Sequence, residues 1–356
     1  MKTAKPLFSS LGTKPNNGWR PANDGAAWRM RWSATAFVVV VGGCAAEPAD
    51  RSSAPDENPR PAEGEGEGEG EGEGEGEGEG AGERSSGCGR AAPTARTRTL
   101  THGGRARTYL LDVPSGYDAA APAPVVVNLH GRTLTAELHH SLTGFGPLAE
   151  REGIILVTPQ GVGRTWNAGT CCGEAMEQNV DDTGFIAALL DDVEASLCVD
   201  VERVFVVGMS NGGFMAYRVA CELADRFAGV ASVAGPTSVG RCEPSRPVPV
   251  FHFHGTSDAI VPYDGVVGVM GVEGTTADWV ERNHARATPV TYFDEDDVDC
   301  RRWDADGGDS AEVRLCRIDD GGHQWPGGTS IPGLGRNTDT INATEAIWAF
   351  FSALPR

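Results

Sequence analysis

From Cys88 onward, short apolar runs alternate with stretches of helical period. Residues 108–113, 125–129 and 154–158 read as strands, each bounded by Gly or Pro. Residues 181–197 place Phe185, Ile186, Leu189, Leu190 and Val193 on one stripe, which predicts an amphipathic helix. The run 204–207 is uninterrupted and apolar, as in a strand buried on both faces. A helix over 211–224, strands over 248–253 and 313–318, and a terminal helix over 344–351 follow. Strands separated by helices predict an α/β fold, a mostly parallel sheet with helices on both faces. Residues 88–356 are expected to form one such domain.

The chain before Cys88 has a different character. After Arg29 and Arg31, residues 32–41 are mostly apolar, too short a run to span a bilayer, which takes about 20 residues. A basic flank, a short apolar run and small residues predict a secretory signal peptide within 1–43, with Met30 as the expected start. Val41-Gly42-Gly43-Cys44 resembles the bacterial lipobox, which implies acylation of Cys44 and either a lipid anchor or secretion. Residues 44–87 are Ala, Pro, Ser, Glu and Gly with almost no large apolar side chain, so they are expected to remain a disordered tether.

Charge adds one exclusion. The formal net charge of -20 argues against a nucleic-acid partner, which needs a basic face. Nine of the carboxylates sit in the strict Glu-Gly alternation over 63–80, so much of the acidity belongs to the tether. Of the nine cysteines, eight remain once Cys44 is set aside, an even number that reads as disulfides in an exported domain. Cys300 with Cys316, on two neighbouring strand-like runs, and Cys221 with Cys242 are the expected pairs; the others stay open. Cys171-Cys172 has no C-x-x-C partner, so no zinc or other metal site is expected.

Between the strand over 204–207 and the next helix stands Gly208-Met209-Ser210-Asn211-Gly212-Gly213. In that context G-x-S-x-G is a nucleophile elbow, and Ser210 is the expected nucleophile. A serine hydroxyl needs a base, and the base needs a carboxylate to orient it. In this fold the order along the chain is Ser, acid, His. Asp258 lies just past the strand over 248–253, with Asp264 as the runner-up. His323, flanked by Gly321-Gly322 and Pro326-Gly327-Gly328, is the expected base; His284 sits in a charged helical stretch. His252 and His254 alternate on a strand and read as packing or loop-orienting residues. The oxyanion donors are expected to be the backbone N–H groups of Asn211 and of Arg132 or its neighbour Thr133.

These motifs are specific as a set. His130-Gly131, the elbow, His254-Gly255-Thr256-Ser257-Asp258 with Val261-Pro262-Tyr263, and Gly322-His323-Gln324-Trp325-Pro326-Gly327 resemble the secreted poly(3-hydroxybutyrate) depolymerase and feruloyl esterase family. So do Thr165-Trp166-Asn167-Ala168-Gly169, Cys171-Cys172-Gly173 and Asp181-Asp182-Thr183-Gly184-Phe185. The resemblance implies an α/β-hydrolase esterase with Ser210, Asp258 and His323 as triad, needing no cofactor. It further implies that Trp166 and Trp325 line the substrate cleft. The expected substrate is a hydroxyalkanoate oligoester, with a feruloyl or acetyl ester on plant polysaccharide as the alternative. With no binding domain read beyond the terminal helix, oligomers or soluble esters are expected over crystalline polymer. A peptidase, or a non-catalytic surface lipoprotein on the same scaffold, are the competing readings, and the intact triad disfavours the second.

Overall fold

The computed structural model describes residues 84–355; the expected signal peptide, Cys44 and the Glu-Gly repeat lie outside them. The strands are β1 (Thr97–His102), β2 (Arg105–Asp112), β3 (Ala123–Leu129), β4 (Ile155–Pro159), β5 (Val199–Met209), β6 (Gly229–Val233), β7 (Val250–Gly255), β8 (Val290–Glu295), β9 (Val298–Trp303) and β10 (Val313–Ile318). They join in one sheet of order β1-β2-β4-β3-β5-β6-β7-β10-β9-β8. From β4 to β10 all neighbours are parallel, and antiparallel strands close both edges.

The helices are α1 (Ala136–Thr143), α2 (Phe145–Glu152), α3 (Glu174–Glu177), α4 (Asp182–Ser196), α5 (Asn211–Glu222), α6 (Val272–Arg282) and α7 (Ala343–Ser352). Alternation along the central strands feeds two cores. Val125, Val127, Val204 and Val206 pack with Phe185, Leu189, Met215 and Trp279 from α4, α5 and α6. Val126, Phe205 and Val207 pack on the other face with Leu142, Phe145, Phe350 and Phe351 from α1, α2 and α7. Every strand read from an apolar run is present, as are the helices read over 181–197, 211–224 and 344–351. The exposed edge strands β1 and β8 went unread because they bury no continuous apolar face. Strand β6 went unread because it is built from small residues: a Cβ on Gly213 of α5 would come within 2.4 Å of Ser232 Oγ.

Four disulfides staple the domain. Cys300–Cys316 joins register partners on β9 and β10, and Cys221–Cys242 ties the end of α5 to the loop after β6, as expected. Cys88–Cys198 fastens the chain before β1 to the start of β5, and Cys171 bonds its neighbour Cys172. Ser85 Oγ donates to the Leu197 carbonyl and accepts from the Val199 N–H. The folded domain therefore begins a few residues earlier than the composition suggested.

The buried pair Arg107–Asp182 (2.7 Å) links β2 to α4, and Asp182 also accepts the N–H of Asn167 (2.7 Å). Burial pushes the Asp182 carboxyl up, and Arg107 and the Asn167 N–H only partly offset this. Arg107→Leu should destabilise the fold by about 3–5 kcal/mol at neutral pH, because it strands a buried carboxylate. Urea unfolding would measure the loss, which should shrink in acid as Asp182 takes up a proton.

Candidate active site

Strands β5, β7 and β10 run parallel, so the loops after them open on one edge of the sheet. Ser210 follows β5, Asp258 follows β7 and His323 follows β10. The fold thus gathers, at the carboxyl ends of its strands, three residues that together span more than a hundred positions in sequence. Open α/β sheets place their ligand sites at this edge.

Ser210 occupies the turn between β5 and α5 with φ 55° and ψ -123°, a left-handed conformation that costs a non-glycine residue of order 1–3 kcal/mol. The turn survives because the surrounding backbone is pinned. Ser210 donates its N–H to the Val233 carbonyl (2.8 Å), and its own carbonyl accepts from Phe214 (2.9 Å). No bulk is tolerated around it: a Cβ on Gly208 would lie 2.1 Å from the Gly212 carbonyl oxygen. The serine is half-buried, at the N-terminus of α5, where the helix dipole favours negative charge.

Asp258 and His323 are each 4% exposed, and His323 Nδ1 donates to Asp258 Oδ2 at 2.6 Å. The other carboxylate oxygen accepts the N–H groups of Ile260 and Val261, both at 2.8 Å. Burial pushes the Asp258 carboxyl up, but the imidazoles of His254 and His323 and the Val261 N–H more than offset it, holding it well below the usual carboxylate range. Asp258 is therefore an anion fixed in one orientation. The His323 loop is held by His323 N–H to the Leu334 carbonyl (2.7 Å) and Gly322 N–H to the Arg336 carbonyl (2.8 Å). The runner-up acid Asp264 is exposed, and His284 is exposed beyond the end of α6.

A Cβ on Gly131 would come within 3.3 Å of Ser210 Cβ, so the turn after β3 lies against the serine. Thr133, the alternative to Arg132 as the expected oxyanion donor, spends its N–H on the Arg164 carbonyl (3.0 Å). Asn211 is the first residue of α5, where backbone N–H groups have no partner within the helix. His130 braces the turn. Its Nδ1–H donates to the Gly131 carbonyl (2.9 Å), so its Nε2 accepts from the Gly161 N–H (2.9 Å). Burial lowers its pKa to about 4, keeping it neutral.

Two expectations need correction. Trp166 and Trp325 line no cleft; both are 0% exposed. The Trp166 indole N–H donates to the His130 carbonyl (2.9 Å), and that of Trp325 to Thr344 Oγ1 (3.0 Å). Each ring uses its one donor inside the domain and so serves as packing for the loops that carry the site. The side chain of Asn211 was missed as well. It accepts the Trp166 N–H (2.6 Å) and donates to the Trp166 carbonyl (3.0 Å), clipping the 165–173 loop to the elbow.

Residues 101–303 match the model of the Esterase family, described as "Putative esterase", and the chain belongs to that family. The fold and the family together define an α/β-hydrolase that is a carboxylic ester hydrolase. Over 265 residues the chain is 31% identical to "Putative esterase NocK" of Nocardia uniformis subsp. tsuyamanensis, spanning 67% of this chain and 76% of that protein. It is 29% identical over 279 residues to feruloyl esterase C of Emericella nidulans, spanning 76% and 91%. To feruloyl esterase B of Piromyces equi it is 28% identical over 235 residues, covering 61% of this chain and only 42% of the relative. The solved acetyl xylan esterase from Aspergillus awamori aligns with a TM-score of 0.50 over 72% of this chain and 99% of that one, at 15% identity, a likeness of fold.

Proposed function

We propose that the protein is an exported serine esterase that works through a covalent acyl-enzyme, with Ser210 as nucleophile, His323 as base and Asp258 as the orienting acid. The observation that carries this reading is the 2.6 Å Asp258–His323 bond at the sheet edge that also holds the strained Ser210 turn. His323 takes the Ser210 proton at Nε2 while Asp258 keeps the other ring nitrogen protonated. The alkoxide attacks the ester carbonyl, and the Asn211 and Arg132 N–H groups receive the oxyanion. His323 then protonates the departing alcohol, and in the second half it deprotonates the water that releases the acid. Among the described residues no helix is long and apolar enough to cross a membrane. Disulfides persist in oxidising compartments, which supports action outside the cytoplasm, with Cys44 as the proposed lipid attachment.

For the substrate, the feruloyl esterases among the relatives favour a feruloyl or acetyl ester on plant polysaccharide. A hydroxyalkanoate oligoester is the second reading. Its support is the loop following Asp258, where Ile260, Val266, Val267 and Met270 are exposed and offer an apolar rim that suits an aliphatic polyester. Turnover of methyl ferulate and of a 3-hydroxybutyrate trimer by the full chain separates the two. The expected result is at least tenfold higher kcat/KM on the ferulate, a difference of about 1.4 kcal/mol in transition-state binding. Preference for the trimer would establish the second reading, and activity on neither would overturn the esterase mechanism.

A further inference from the structure

Behind Asp258 stands a file of buried polar side chains that the ester-cleaving steps leave unused. The hydroxyl of Tyr217, on α5, is 2.9 Å from His252 Nδ1. His252 Nε2 is 3.1 Å from His254 Nδ1, and His254 Nε2 is 2.8 Å from the Val261 carbonyl oxygen. The same Nε2 lies 3.4 Å from Asp258 Oδ2. Tyr217, His252 and His254 are each 1% exposed. The two imidazoles stack with centroids 5.3 Å apart because residues two apart on β7 share a face.

The direction of every hydrogen in this file follows from its end. A carbonyl can only accept, so His254 Nε2 carries a hydrogen. A neutral imidazole has one N–H, so His254 Nδ1 accepts from His252 Nε2–H, and His252 Nδ1 accepts from the Tyr217 hydroxyl. Burial supports the neutral form, since it pushes the His252 pKa well below its ordinary value and raises that of Tyr217. The opposite polarity, with His254 charged, would turn His252 Nδ1–H toward the Tyr217 oxygen and leave the hydroxyl hydrogen without an acceptor.

We propose that His254 is a positioning residue for the catalytic acid: locked as the Nε2–H tautomer by His252 and Tyr217, it clamps the 258–261 loop through the Val261 carbonyl and sets the positive N–H edge of its ring beside Asp258 Oδ2. The loop is closed from both sides, since Val261 gives its N–H to Asp258 Oδ1 and its carbonyl to His254. The carboxylate then has two N–H donors on Oδ1 and one on Oδ2, with the N–H edge of His254 3.4 Å from Oδ2. The role rests on the reading of Asp258 and His323 as acid and base.

Two measurements test it. In the full chain with 15N-labelled histidines, long-range 1H–15N correlation spectra at pH 7 should report His252 and His254 both neutral and protonated at Nε2. A charged His254, or one protonated at Nδ1, overturns the proposal without any mutation. In kinetics, His254→Phe removes the donor but keeps a buried ring. It should lower kcat by about 10–100-fold, the scale of a small misplacement in an active site, with KM changed less than twofold. His254→Gln, whose amide N–H reaches the same place, should recover kcat to within about fivefold of wild type, a small fraction of that loss. A His254→Phe enzyme as fast as wild type, or a Gln variant no better than Phe, reduces the residue to packing. Ser210→Ala keeps the two hypotheses apart: if it remains active the esterase mechanism fails, whereas a dead Ser210→Ala beside a fully active His254→Phe fails only the positioning role.

Discussion

Ser210→Ala is expected to lower turnover by on the order of 10^5–10^6-fold, because in a triad that acts as a unit the loss of the nucleophile costs as much as the loss of the whole. The fold should not notice. Ser210 Oγ does not cap α5 and the residue is half-buried, so the substitution removes one oxygen and leaves the turn as it was; such changes stay within about 0.5 kcal/mol. Ser210→Gly should be equally inert yet more stable than the alanine variant by about 1 kcal/mol, since glycine relieves the positive φ of the turn. Thermal unfolding of the three proteins, read with labelling by a fluorophosphonate, checks both halves. Wild type should label in a one-to-one ratio and neither variant should label. Residual turnover above about 1% of wild type in the alanine variant would place the nucleophile elsewhere, being some thousandfold more than triad loss allows.

The reach of the sequence differs between these residues for physical reasons. Ser210 was legible because the elbow needs glycines at fixed offsets and a strand and helix on either side, all of them local signals. Asp258 and His323 were legible one step less directly, from strand ends and the order of the fold, and the structure joins them by a hydrogen bond. The tryptophans show the limit. Trp166 and Trp325 stand beside site residues in sequence, but the side of a loop on which a ring lies is set by the acceptor its indole N–H finds. Those acceptors, His130 and Thr344, come from β3's end and α7. The His252–His254 file was half legible, because strand alternation puts the two rings on one face. Its terminus, Tyr217, comes from another element and has no sequence relation to them. The same holds for Arg107 and Asp182, whose pairing makes the Asp181-Asp182-Thr183 motif a support for the 165–173 loop.

Asp258→Asn should cost about 10^4-fold in kcat with the fold retained, the scale set by forcing the wrong imidazole tautomer. The orientation of the new amide is dictated by the backbone. Ile260 and Val261 aim two N–H groups at Oδ1, so the amide oxygen must occupy that position and the NH2 group must face His323 and His254. An NH2 group donates to His323 Nδ1, which leaves the hydrogen on Nε2, where the Ser210 proton has to go. The same NH2 meets the Nε2–H of His254 donor to donor. The stability difference between wild type and this variant also has a defined pH dependence. Asp258 is held below its usual range in the fold, so the stability tied to its charge is complete above the unfolded carboxylate value of roughly 4 and fades as the pH falls toward the folded one. Wild type should therefore be the more stable protein at neutral pH, and the urea midpoints of the two should converge on acidification below that value. An Asn variant with near wild-type kcat would show that His323 keeps its tautomer without Asp258. Midpoints that stay parallel into acid would show that the carboxylate is not held as an anion by the donors around it.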